Sequence, residues 1–411
     1  MAKFSDYDSS ASDDAPGAGG PLAGVRVVDL TSVLLGPFAT LHLGDLGADI
    51  IKVESPEGDV MRYAGPFRHK GMSPIFLNVN RNKRSVVLDL KTEAGHEALL
   101  KLLETADVFL HNLRPKAIRA LRLGYRDLAD VNPRLIYCTA IGFGRGGRFR
   151  DDAAYDDVVQ GASGLVAAQA ELTGSPGYVA TAVSDKTAGM AVALAIASAL
   201  FSRERTGEGQ EIEVPMFEVM VANVMAEHLY GHTFDPPLGP AIYPRQTATY
   251  RTPYQTRDGH VSIMVYNDKQ WRAFFALIGR PELMDDPRFD SINSRTEHID
   301  EAYQMVRDAV GDRTTEECLR VFGGASIPVC AVNTPTDLLE HPHLTDVQMF
   351  RRVEHPTEGT LIDVKSPYWF SRTPVVNRRF APRLGEHTAE VLEEVAIQPT
   401  HRAYVLEDAD D

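Results

Sequence analysis

Two short apolar runs, Val25 to Leu30 (VRVVDL) and Asp49 to Glu54 (DIIKVE), bracket a segment that opens on Gly36-Pro37 and closes on Gly47. Runs of this length and composition read as buried strands. Pro near the first helical position and Gly just past the last mark a helix between them. The result is a β-α-β unit, and it commits the start of the chain to an α/β architecture.

The alternation continues. Strands are expected at 85–90, 107–111 and 135–142, with helices at 92–104 and 115–123 between them. Such alternation predicts a mostly parallel, Rossmann-like sheet covered on both faces. Gly142 to Arg150 (GFGRGGRFR) is a basic glycine-rich loop. Helices are expected near 156–168, after Asp185, and from about Pro215 to His228. Beyond Pro236-Pro237 the pattern changes. Asp258-Gly259 is a hairpin signal between strand-like runs, and helices follow near 268–277, 294–310 and 314–322. A strand at 328–333 and the start of a helix at 335–339 complete a smaller α+β domain. The predicted organisation is an acidic disordered tail at 1–20, a large α/β domain at 21–234 and the α+β domain at 235–345. A linker and a C-terminal return to the large domain fill 346–400, and a second acidic tail follows at 401–411.

The 411 residues are 44% hydrophobic and 24% charged, as in an ordinary globular protein. A formal net charge of −15 argues against a nucleic-acid partner. Cys138, Cys318 and Cys330 form no CxxC pair and are expected as reduced core residues in a cytoplasmic protein. The start lacks the apolar region of a signal peptide, and the apolar run Met190 to Phe201 is too short to cross a bilayer, so no membrane association is expected. The histidines lack metal-ligand spacing, and no metal site is expected.

Asp185, in Ser184-Asp185-Lys186-Thr187-Ala188-Gly189-Met190, precedes a small-residue apolar run with the length and composition of a buried helix. A carboxylate there faces unpaired N–H groups and the positive end of the helix dipole. It is expected to stay ionised with a low pKa. Most Asp at such positions are caps. An anion-side anchor and a covalent nucleophile are the other readings.

Several segments together carry a resemblance. They are DLTSVLLGPFATLHLGDLGADIIKVESPEGD (29–59), NRNKRSVVLDLK (80–91), ADVFLHNLRP (106–115), NPRLIYCTAIGFG (132–144), YDDVVQGASGL (155–165), SDKTAGM (184–190), RTGEGQEIEV (205–214) and PRLGEHT (382–388). The chain resembles the class III CoA-transferases, typified by formyl-CoA transferase and carnitine CoA-transferase, from about residue 21 to 395. The resemblance implies that Asp185 is a nucleophile forming aspartyl anhydride and aspartyl-CoA thioester intermediates. It implies CoA contacts at Val33, Leu34 and Leu35, at Leu88, Asp89, Leu90 and Lys91, and at Asn112, Leu113 and Arg114. Tyr155, Asp156 and Gln160 fall in the acyl-pocket segment. CoA and acyl-CoA enter as substrates with a small carboxylic acid, no cofactor is held tightly, and the partner is a second copy in an interlocked homodimer.

The chain departs from formyl-CoA transferases, which have Gln where it has Leu34, Arg near Ser55 and Glu where it has Asp156. Their tetraglycine loop has no counterpart in Ala241 to Gln255 (AIYPRQTATYRTPYQ). Arg245 and Arg251 in that stretch suggest a second carboxylate on the substrate, as in succinyl-CoA. The same fold carries α-methylacyl-CoA racemases, which place His at the position of Tyr155. Tyrosine, with a pKa of about 10, is a poor base near neutrality, which favours transfer over racemisation. A non-catalytic acyl-CoA-binding protein is a further alternative. A nicotinamide dehydrogenase is disfavoured because TSVLLGPF replaces GxGxxG after the first strand.

Overall fold

The computed structural model of the chain describes residues 19–396. The two expected tails lie outside the described residues, apart from Gly19 and Gly20. Six strands form one parallel sheet: β1 (Arg26–Leu30), β2 (Asp49–Glu54), β3 (Lys83–Val87), β4 (Val108–His111), β5 (Ile136–Ile141) and β6 (Gln210–Pro215). Their order is β3-β2-β1-β4-β5-β6. Val28 of β1 lies level with Ile51 of β2 and Phe109 of β4, and all three are fully buried. The Val- and Ile-rich strands suit a sheet covered on both faces.

The chain builds β2 and β3 on one side of β1, then returns past β1 to add β4, β5 and β6. At such a reversal the loops after β1 and β4 diverge and leave a crevice at the carboxyl ends of the strands. The sequence pattern gives no sign of β6. It reads QEIEVP, sits at the sheet edge, and exposes Gln210 and Glu211. β3 also begins two residues before the expected 85–90 strand and ends at Val87.

The single helix expected over 156–168 is two, Asp156–Ala162 and Leu165–Thr173. Gly164 separates them at φ 89, a left-handed conformation that ends a right-handed helix. The helix carrying Asp185 spans Val183–Thr206. Its 24 residues, with a mean hydropathy of 1.3 over an 18-residue window, make it long and apolar enough to cross a membrane by length and composition, against the expectation drawn from Met190 to Phe201 alone. Here it packs along the Leu35–Asp45 helix and buries Ala188, Gly189, Val192 and Ile196. A Cβ at Gly189 would stand 2.7 Å from the Leu35 carbonyl oxygen, so the approach requires glycine.

The chain divides into two compact units. Among the described residues, the first takes 19–163, 180–221 and 345–396; the second takes 164–179 and 222–344. Residues 164–179 and 222–234, expected in the large domain, thus count with the second unit. In that unit β7 (Tyr254–Gln255), β8 (His260–Ile263) and β9 (Val329–Ala331) form an antiparallel sheet. Trp271, Phe274, Phe275, Tyr303, Val306 and Phe322 fill its core. The 294–310 helix is interrupted at His298, giving Ile292–Glu297 and Ile299–Gly311. At 335–339 a 3-10 turn, Asp337–Glu340, replaces the expected helix. Cys138 and Cys318 are buried, but Cys330 is exposed on β9 and is not a core residue.

The stretch expected to be a linker contains a hairpin, β10 (Phe350–His355) with β11 (Gly359–Val364). After it, the Gly385 N–H donates to Ser85 Oγ at 2.9 Å and the His387 N–H to the Ser85 carbonyl at 3.0 Å. These bonds seat the Thr388–Glu394 helix, whose Val391 and Leu392 join the core against β1 to β5.

Candidate active site

Asp185 is the third residue of its helix, and the residue that caps this helix start, Ala182, has no side chain able to accept a hydrogen bond. Asp156 supplies the missing acceptor. Its Oδ1 accepts from the N–H of Ser184 at 2.7 Å and of Asp185 at 3.0 Å. Its Oδ2 accepts from Gln160 Nε2 at 2.6 Å. Asp156 therefore caps the Asp185 helix across 28 residues of sequence. Tyr155, not Asp156, is the N-cap of the Asp156–Ala162 helix, and its ring is 68% exposed. Gln160 is fully buried. Asp156, Gln160 and Asp185 are thus gathered at one helix start.

Among the described residues the Asp185 carboxylate makes no hydrogen bond or ion pair. Burial first, and the Asp156 charge second, push it up to about 6. This corrects the low pKa expected from the helix dipole. Asp156 already takes up the N–H groups that would have stabilised an anion, and desolvation outweighs the rest. A carboxylate with a pKa of about 6 is mostly ionised at neutral pH and is more basic than an exposed one.

The loop after β1 lies at the sheet reversal. Val33 has φ 72, a left-handed conformation that is strained for a β-branched residue. Both neighbouring strands hold it there. Lys52 of β2 donates to the Thr31 carbonyl at 2.9 Å and to Asp59 Oδ2 at 3.0 Å. Asp59 Oδ1 accepts the Val33 N–H at 3.2 Å. From the β4 side, Asn112 Oδ1 accepts the Ser32 N–H at 3.2 Å, and its Nδ2 donates to the Ser32 carbonyl at 2.9 Å. Behind them Asp29 accepts from Thr31 and Thr40, with Lys83 Nζ 3.6 Å away. Sequence inspection misses Lys52 and Asp59 as loop-holding residues. Their signal was a Lys set between Ile51 and Val53 in a buried strand.

The other expected CoA contacts lie at the ends of β3 and β4. Leu88 is buried, Asp89 and Leu90 are half-buried, and Lys91 is exposed. Asp89 accepts the Lys91 N–H at 3.0 Å. Leu113 is half-buried, while exposed Arg114 precedes Pro115 at the start of a short helix. Leu34 and Leu35 open the Leu35–Asp45 helix, with Leu34 at its cap position. Arg245 and Arg251 belong to the second unit.

Residues 22–388 match the model of CoA-transferase family III. The chain belongs to that family. It is 34% identical to the succinate–glutarate CoA-transferase of Agrobacterium fabrum, over 93% of this chain and 97% of that one. Identity to the human succinyl-CoA:glutarate CoA-transferase is 31%, covering 91% of this chain and 86% of the relative. A crystal structure of Rv3272 from Mycobacterium tuberculosis superposes with a TM-score of 0.79 at 30% identity, covering 90% and 99% of the two chains. As a family III CoA-transferase the protein is an enzyme whose substrates are CoA thioesters.

Proposed function

We propose that this family III CoA-transferase moves CoA from a dicarboxylyl-CoA, such as succinyl-CoA, to a carboxylic acid through covalent intermediates on Asp185. The dicarboxylyl choice is supported by the substrates in the two relatives' names. The observation that carries the mechanism is the unpartnered Asp185 carboxylate, aimed by its helix start and raised to about 6. Its oxygen attacks the thioester carbonyl carbon. The C–S bond breaks, CoA leaves as thiolate, and a mixed anhydride forms. The thiolate attacks the Asp185 carbonyl carbon, expelling the donor acid and leaving an aspartyl-CoA thioester. The acceptor carboxylate then displaces the thiolate to form a new anhydride. Attack by the thiolate on the acceptor carbonyl restores the Asp185 carboxylate. CoA contacts are assigned to Val33, Leu34, Leu35, Leu88, Asp89, Leu90, Lys91, Asn112, Leu113 and Arg114, with Lys91 and Arg114 as phosphate partners.

Hydroxylamine added during turnover should label Asp185, and Asp185→Ala should lose exchange by about 10³-fold or more. Full activity in Asp185→Ala, or no label, would end this reading. The same reading includes a homodimer. Met190, Leu194 and Phe201 leave an exposed apolar stripe on the Asp185 helix, which a second copy would cover. A monomer at micromolar concentration in sedimentation analysis would refute that part.

A further inference from the structure

Six arginines are buried among the described residues: Arg62, Arg81, Arg84, Arg203, Arg245 and Arg295. Five of them pair with a carboxylate, namely Glu54, Asp45, Asp49, Asp107 and Asp268 in that order. Arg245, only 9% exposed, does not. Its Nε donates to the Tyr303 hydroxyl at 2.8 Å, an Nη lies against Met264 Sδ, and its guanidinium stands 4.3 Å from the centre of the Tyr266 ring. In a chain of 57 acidic and 42 basic residues, a buried cation without its own anion is out of keeping. Leaving a buried charge uncompensated is costly, so such a charge is expected to meet an anion from elsewhere.

A cavity of about 210 Å³ adjoins this arginine. It is lined by Arg251, Tyr254, Ser262, Met264 and Tyr303 among others, so two of the Arg245 partners form part of its wall. Arg251 is also free of carboxylate partners and keeps one bond to the Gln246 carbonyl at 3.3 Å. The Tyr303 hydroxyl accepts from Arg245 and so has its own proton to give. The lining residues thus carry one guanidinium and four hydroxyls, those of Thr252, Tyr254, Ser262 and Tyr303, with the Arg245 charge bonded to the Tyr303 and Met264 side chains of its wall.

We propose that this cavity in the second unit is a binding site for the carboxylate of a small organic acid, held by Arg251 and the Tyr303 hydroxyl and balanced by Arg245. A planar guanidinium matches a carboxylate in two parallel hydrogen bonds. This inference rests on the exchange reading above, because it supplies a place for the acid that reaction consumes.

The test uses the full chain carrying Asp185→Ala, which binds but does not turn over. Glutarate and succinate are titrated by calorimetry, with inorganic phosphate as the competing anion. Saturable binding is expected, weakened by about tenfold or more in Arg251→Met. Arg245→Met should weaken it less and should raise Tm without ligand, since the uncompensated charge is gone; Arg245→Lys should retain part of the affinity. The inference is overturned by absence of saturable binding, by equal affinity in Arg251→Met, or by phosphate binding as tightly as the dicarboxylates. Acid binding without exchange on any CoA ester would sink the exchange reading alone, and exchange without binding here would sink this site alone.

Discussion

Two buried sites, one in each unit, treat positive charge in opposite ways. Beneath the loop after β1, Lys52 meets Asp59, Lys83 meets Asp29 and Arg62 meets Glu54, with every one of these side chains almost wholly out of solvent. In the second unit Arg245 meets only a phenol, a thioether and an aromatic face. Where the chain supplies its own counter-charge, the cation is part of the architecture and holds backbone in place. Where it supplies none, the cation is kept for something that arrives.

The sharpest way to break this contrast is to delete one cation from each unit. Lys52→Met strands Asp59 in the interior and should destabilise the protein by about 3–5 kcal/mol in denaturant titrations. Arg245→Met strands no charge, leaving only the Tyr303 hydroxyl without its donor, and should unfold no earlier than the parent. Equal losses would erase the distinction.

Asp185 tests the same idea with a half-buried negative charge. Its folded-state pKa of about 6 stands above its ordinary value of 3.8. Stability from the protonated form is therefore fully present below pH about 4 and is lost as pH rises through 6. Asp185→Asn should gain Tm over the parent above pH 6 and lose that advantage near pH 4. Activity should run the other way, with kcat/KM falling about tenfold per pH unit below 6. Asp156→Asn keeps an oxygen for the cap but removes the charge, so the acid limb should shift to lower pH. An unshifted limb would show that Asp156 does not act on Asp185 through its charge.

The smallest effect concerns Val33. Val33→Gly relieves the left-handed strain and should stabilise the fold by about 1 kcal/mol in thermal melts. A loss of stability would mean that the Val33 side chain contributes more packing than its backbone costs.

Much of the fold was legible because both faces of the sheet are covered, which leaves continuous apolar runs such as VRVVDL and DIIKVE. The edge strand β6 and the β10–β11 hairpin were not, because they lack a continuous apolar run: β6 carries Gln210, Glu211 and Glu213, β10 carries Arg351, Arg352 and Glu354, and β11 leaves Ile362 exposed. Asp185 was legible from SDKTAGM and the small residues after it. The identity of its cap was not: Asp156 reaches it from 28 positions away, and local rules pair a cap with its own helix. The direction of the Asp185 pKa failed for the same reason, since the dipole argument counts N–H groups that Asp156 had already taken.

The missing side chain at Gly189 has a mechanical consequence. With a helix resting directly on the Leu35 carbonyl, no compressible layer of side chains lies between the nucleophile's helix and the loop held by Lys52 and Asn112. Close-packed interiors transmit displacement rather than absorb it. A ligand that shifts residues 33–35 by a few tenths of an ångström would carry the start of the Asp185 helix with it, so docking at the loop and aim of the carboxylate share a single degree of freedom.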